Sequence, residues 1–178
     1  MIHQSLKLNQ KLELAIKNDR RTIYRGKILI ESMVKLLAPK GCALISNDLN
    51  SCSLWIPPEA SFSNSEKVSM YMALRRSAGL FNMSKGLEYK KLMMQQVFEK
   101  RSFYLMLWAY SPEINTNIAY DTVISPILEY CADNKIYAYA ECFNNTIRDL
   151  FTKNGFIKKN EPCFKLTDIK MAIMQKSP

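Results

Sequence analysis

The chain is short of the residues on which most catalytic chemistry depends. Its one histidine, His3, sits at the extreme N-terminal end of the 178 residues. A Ser-His or Cys-His nucleophile would have to recruit it, so that class of mechanism is set aside. No CxxC pair occurs, and the five cysteines (Cys42, Cys52, Cys131, Cys142, Cys163) are odd in number and scattered. This argues against a structural zinc site and against a disulfide framework, and no metal is expected. Most of the thiols read instead as small buried hydrophobes. No apolar run reaches the roughly 18 residues of a membrane span, and Met1–Gln10 lacks the basic-then-apolar layout of a signal peptide. A cytoplasmic protein with no membrane partner is expected. There is no internal repeat and no low-complexity segment.

What is present describes an ordinary globular domain with an unusual charge. Hydrophobic residues make up 48%, enough to build a core at this length. A single domain over 1–178 is expected, with N-terminal helices in 1–40, strands and helices in 41–102 and a second core in 103–178. Lys and Arg number 25 against 16 acidic residues, a formal charge of +9. The basic residues come in pairs, among them Arg20-Arg21, Arg75-Arg76, Lys90-Lys91 and Lys158-Lys159. An anionic partner is favoured, but no helix carries an unbroken basic face, and nucleic acid is not expected.

Apolar spacing predicts helices over Leu6–Lys17, Thr22–Leu37, Ser65–Leu80 and Ser84–Lys100, the last with Ser84 as N-cap. Cys42–Ile45 and Cys52–Ile56 read as strands joined by a turn at Asn47–Ser51. Phe103–Tyr110 is the strongest strand, with the apolar content of one buried on both faces and ended by Pro112. Tyr120, Val123, Ile124, Ile127, Leu128 and Cys131 form one helical stripe, in which Pro126 predicts a kink or a late helix start. Ile136–Cys142 is the next strand. A helix follows, capped by Asn144 or Asn145 and ended by Asn154-Gly155. Phe156–Lys159 and Asp168–Gln175 read as a terminal antiparallel pair.

Strand, helix, strand, helix in that order implies a βαβ crossover with a site at the strand ends. Three motifs on it resemble the GNAT superfamily of acyl-coenzyme A-dependent N-acetyltransferases. Cys52-Ser-Leu-Trp-Ile-Pro-Pro58 is similar to that family's strand ending W-x-P-P. Leu107–Pro112 stands where its central strand ends V-x-P. Asn144–Phe156 resembles N-x-x-x-x-x-L-Y-x-x-x-G-F, and Met171–Lys176 is similar to its last strand. The resemblance implies an α/β (α+β) fold: a central mixed, mostly antiparallel sheet with splayed central strands and helices on both faces. It implies acetyl- or another acyl-coenzyme A as donor and a small-molecule or peptide amine as acceptor, and leaves a homodimer open.

The same resemblance marks two departures. The family's phosphate loop, Q/R-x-x-G-x-G/A, is here Glu113-Ile-Asn-Thr-Asn-Ile-Ala-Tyr120. Its glycine positions fall on Thr116, Ile118 and Tyr120, or with a one-residue shift on Asn115, Asn117 and Ala119. Glycine would let backbone approach the phosphates closely, and asparagine is the gentler replacement. The family's general-acid tyrosine, which protonates the departing thiolate, is replaced by Phe151, which has no exchangeable proton. Tyr110, Tyr120, Tyr137 and Tyr139 are candidate substitutes. Backbone near Trp108–Tyr110 would pair with the pantetheine arm. Asn144 matches a residue that contacts that arm and is equally an ordinary N-cap. Glu141 is a candidate base for the amine, with Glu113 behind it. The expected function is N-acetyl or N-acyl transfer, the alternative a catalytically impaired pseudoenzyme that binds a ligand or protein.

Overall fold

The structure, a computed structural model, describes residues 22–40, 43–78, 83–96, 98–99, 101–165 and 169–178. The helix expected at Leu6–Lys17 lies outside them. In chain order the elements are α1 (Thr22–Leu37), β1 (Ala43–Ile45), β2 (Ser51–Ile56), α2 (Asn64–Ala78), α3 (Met83–Met94) and β3 (Ser102–Tyr110). Then come α4 (Thr116–Val123), α5 (Ser125–Asp133), β4 (Tyr137–Cys142), α6 (Asn145–Lys153), β5 (Ile157–Asn160) and β6 (Ala172–Lys176). One six-stranded sheet runs in the order β1-β2-β3-β4-β6-β5. Every neighbouring pair is antiparallel except β3 with β4.

Helices cover both faces. On one, α4, α5 and α6 pack on Trp55, Leu105, Ala138, Ala140 and Met174. On the other, α1 buries Leu29, Met33 and Leu37 against Leu54 and Leu107. Beside it, Tyr89, Leu92 and Met93 of α3 cover Tyr139 and Ile173. The arrangement is the mixed, mostly antiparallel, two-faced α/β sheet that the motifs imply. No helix among the described residues is long and apolar enough to cross a membrane. No group of three or more His, Cys, Asp or Glu among them could hold a metal ion.

Local chemistry sets the boundaries. Ser63 and Glu66 exchange side-chain-to-backbone hydrogen bonds (2.7 and 3.3 Å) and so start α2. The α3 helix begins at Met83, which places Ser84 inside it rather than at its cap, and ends at Met94, well before Lys100. The stripe from Tyr120 to Cys131 is two helices instead of one kinked helix, divided at Ile124. Pro126, in the first turn of α5, has no N–H to continue the ladder. Ile127 N–H bonds to the Ile124 carbonyl instead of reaching back to Val123. The Val123 carbonyl so released accepts a 2.6 Å bond from buried Ser53 of β2, whose Oγ also takes the Trp55 indole N–H at 3.0 Å.

Candidate functional site

The site begins with one extra residue in β3. Leu54 pairs with Leu107, but Trp55 pairs with Leu105, which leaves Met106 unmatched as a bulge. A bulge bends its strand and reverses the alternation beyond it. Phe103 and Leu105 point to the α4–α6 face; past the bulge, Leu107 points to the α1 face and Trp108 turns back to α4–α6. The parallel pairing of β3 with β4 stops at the same place. It covers Ser102↔Tyr137 through Leu105↔Ala140 and goes no further. Both strands continue, each still held by its outer neighbour, β3 to β2 as far as Tyr110 and β4 to β6 as far as Cys142. Between them a wedge opens.

The α4 helix starts beside that wedge. Asn115 is its N-cap, and its side-chain oxygen accepts the Asn117 N–H at 2.9 Å. The N–H groups of Thr116 and Ile118 find no acceptor among the described residues. With the helix dipole they form a small anion-receptive end. A cleft of about 560 Å³ separates Asn115–Asn117 from Thr146, Asp149 and Lys153 of α6. Lys153 is basic and Asp149 acidic, so the cleft is not uniformly positive. Ile118 is exposed and Ala119 fully buried.

Tyr120 turns inward. Its ring stands edge-on to Trp108 (6.0 Å between centroids) and Phe151 (5.4 Å), and Phe151 in turn to Phe156 (4.8 Å). Trp108 also meets Tyr110 at 4.9 Å. Burial pushes the Tyr120 phenol well above its usual value, with Asp121 and the Cys142 thiol adding to the rise. Burial likewise lifts Cys142, to about 12. Asn144 is the N-cap of α6, its side-chain oxygen accepting from Ile147 N–H at 2.8 Å. Gly155, at φ +85°, closes that helix.

Glu141 faces the opposite side of β4. There it accepts a 2.5 Å hydrogen bond from the Tyr89 hydroxyl of α3, which lies 3.3 Å from the Tyr104 hydroxyl. Burial and then the Glu141 carboxylate hold the Tyr89 phenol far above its normal range. Tyr89 stacks on Phe164 (6.2 Å, 2° between planes), which stacks on Phe143 (6.3 Å, 28°). The Tyr139 hydroxyl accepts from Gln175 and from Glu99 N–H. The structure therefore brings Trp108, Tyr110, Tyr120 and Phe151 together on one face and sets Glu141 on the other. Glu113 is exposed in the turn before α4. Tyr89 and Phe164 were not expected at the site. Each reads as a core aromatic from local sequence, and its partners lie far away in the chain.

No family model matches the chain, and no curated protein matches it. Solved structures do. It is similar to the C-terminal condensation domain of Ebony in complex with beta-alanyl-dopamine, with a TM-score of 0.68 at 8% identity, over 100% of this chain and 91% of that one. A structure described as histone acetyltransferase HPA2 and related acetyltransferase, from Corynebacterium glutamicum, matches with a TM-score of 0.62 at 13% identity, covering 98% and 85%. Arylalkylamine N-acetyltransferase 2 from Aedes aegypti matches at 0.55 and 15%, covering 96% and 86%.

Proposed function

We propose that this chain, which has a GNAT-like fold, is an N-acyltransferase that moves an acyl group from acyl-coenzyme A to the nitrogen of an amine. The observation that carries the reading is the wedge beyond Leu105↔Ala140, with the start of α4 at its side. The donor's pantetheine amides would pair as an added strand with the β3 edge from Met106 to Tyr110, which β4 does not take. Its phosphates would meet the Thr116 and Ile118 N–H groups, with Asn115, Asn117 and Ala119 forming that first turn and Lys153 across the cleft. This loop reaches the phosphates without glycine, on fewer N–H groups, so donor affinity should be modest. The Asn144 amide, whose oxygen is engaged in the cap, would offer its NH₂ to the arm.

The acceptor would enter from the other face. Glu141 takes the role of base there, oriented by Tyr89, and aligns or deprotonates the amine. The stacked rings of Tyr89, Phe164 and Phe143 beside it suit a small amine bearing an aryl group. Titration calorimetry with acetyl-, butyryl- and longer acyl-coenzyme A tests the first half. Binding in the micromolar to millimolar range is expected, and no heat with any donor would sink the proposal. A thiol-release assay across arylalkylamines then tests transfer.

Two observations favour a second reading, a binding module without turnover. Asn115 occupies the Asn117 N–H, and Asp149 brings a negative charge to the same cleft. Donor binding with no transfer to any amine would decide for that reading.

A further inference from the structure

Three polar atoms on the α4 side of the sheet are buried without a partner among the described residues: Tyr120 Oη, Trp108 Nε1 and Ser51 Oγ. They cluster at the wedge end, since Ser51 pairs with Tyr110 and Ser53, two residues along the same strand, with Trp108. Buried polar groups without a partner are few in folded proteins. Tyr120 is the sharpest case. The residue is 1% exposed, so bulk water does not serve its hydroxyl. It lies between Trp108 of β3 and Phe151 of α6, and its phenol is near enough to Cys142 of β4 to feel that thiol electrostatically.

Thioester aminolysis in such a dry place has one outstanding requirement. The departing sulfur takes the electron pair of the C–S bond, and without water near it that charge needs a proton. Two of the other tyrosine hydroxyls lie on the far face: Tyr139, which packs with Phe164 and Ile173, and Tyr89, which donates to Glu141. Phe151 has none to give.

Resting on the transferase reading above, we propose that Tyr120 is the acid of the transfer, its hydroxyl donating to the leaving sulfur from the buried end of the wedge. The amine nitrogen attacks the thioester carbonyl carbon and the C–S bond breaks toward sulfur. The Tyr120 proton goes to sulfur, giving the free thiol. The proton shed by the nitrogen goes to Glu141 and on to solvent, and Tyr120 regains one from solvent once the products have left, so amide and thiol form with no net change in protons. The burial that lifts the phenol would lift a thiol held there in the same direction, as it lifts Cys142 to about 12. Tyr120 and Phe151 are then linked. The aromatic cluster keeps one hydroxyl and carries it on α4 instead of α6.

The test pairs binding with turnover in wild type, Tyr120→Phe and Tyr120→Phe/Phe151→Tyr. Calorimetry should show coenzyme A bound roughly tenfold more tightly than desulfo-coenzyme A by wild type, and equally by Tyr120→Phe. In thiol-release assays kcat should fall about 10²-fold or more in Tyr120→Phe with KM for the donor little changed. The double variant, with a hydroxyl on the neighbouring ring, should recover part of it. The thermal midpoint of Tyr120→Phe should not fall, because the lost atom has no partner. An equal sulfur preference in both proteins, an unchanged kcat or a lowered midpoint overturns the assignment. Donor binding without turnover also overturns it and leaves the donor site standing. Failure to bind even desulfo-coenzyme A overturns the transferase reading itself, and this assignment with it.

Discussion

Replacing Ser53 by alanine should damage the fold far more than the loss of one oxygen suggests. Ser53 is fully buried, gives its proton to the Val123 carbonyl at the end of α4, and receives the Trp55 indole N–H. Alanine leaves both partners in place and unsatisfied. Trp55 is itself 0% exposed, and the space left by one oxygen is too small to admit water with partners of its own. Each buried orphan costs roughly 1–3 kcal/mol, so the pair costs about 2–6. Some relaxation of α4 brings the expectation to about 2–4 kcal/mol. At roughly 2–4 °C per kcal/mol for a chain of this size, the thermal midpoint should drop by about 4–16 °C. Urea unfolding should show a lower midpoint at unchanged slope. In a Trp55→Phe background only the carbonyl is orphaned, so the same substitution should cost about half as much. A midpoint shift of less than about 2 °C in the single variant would refute the reasoning, because it would mean that the carbonyl had found another donor.

Gly155→Ala should cost about 1–2 kcal/mol in urea unfolding. A Cβ there meets only the end of Lys176 at 3.8 Å, so the cost comes from φ +85° alone. Asn144→Ala should cost about 1 kcal/mol of stability, whereas Asn144→Asp keeps the cap oxygen and should stay within about 0.5; equal losses would mean that the cap is not the stabilising contact. Asp149→Asn should strengthen coenzyme A binding about two- to fivefold at low salt, with the gain fading as salt rises, since an exposed carboxylate acts through a screened field. Calorimetry at two ionic strengths measures it, and a salt-independent gain would point to a contact rather than to charge.

What the sequence revealed was local. The helix at Thr22–Leu37 follows from its apolar spacing, the start and end of α6 from Asn144 and Gly155, and β3 from a run with few polar interruptions. The wedge chemistry was less legible because it depends on distant pairs. The Met106 bulge is a matter of register against Leu54 and Trp55, some fifty residues earlier, and nothing in its own neighbours announces it. Ser53 reaches Val123 across 70 residues, and Tyr89 reaches Glu141 across 52. Tyr120 reads from the sequence as a bulky intruder in a phosphate loop. In the structure it stands one turn into the helix, with its ring in the core. The position of a hydroxyl depends on which side of a helix faces the sheet, and a replaced motif says nothing about that.

The short β3–β4 ladder also has a mechanical consequence. Six residue pairs join β2 to β3 and five join β4 to β6, but four join β3 to β4. The sheet can be divided into two three-stranded ribbons, β1-β2-β3 and β4-β6-β5, joined at its centre by the four β3–β4 pairs. Each ribbon is drawn from one unbroken length of sequence, and the backbone crosses that join once, from Ser111 to Ile136 through α4 and α5. A rotation of one ribbon against the other would strain only those four rungs and leave the hydrogen bonds within each ribbon in place. Because those rungs stop where the wedge begins, such a rotation would be felt as a change in the gap between Trp108 and Cys142.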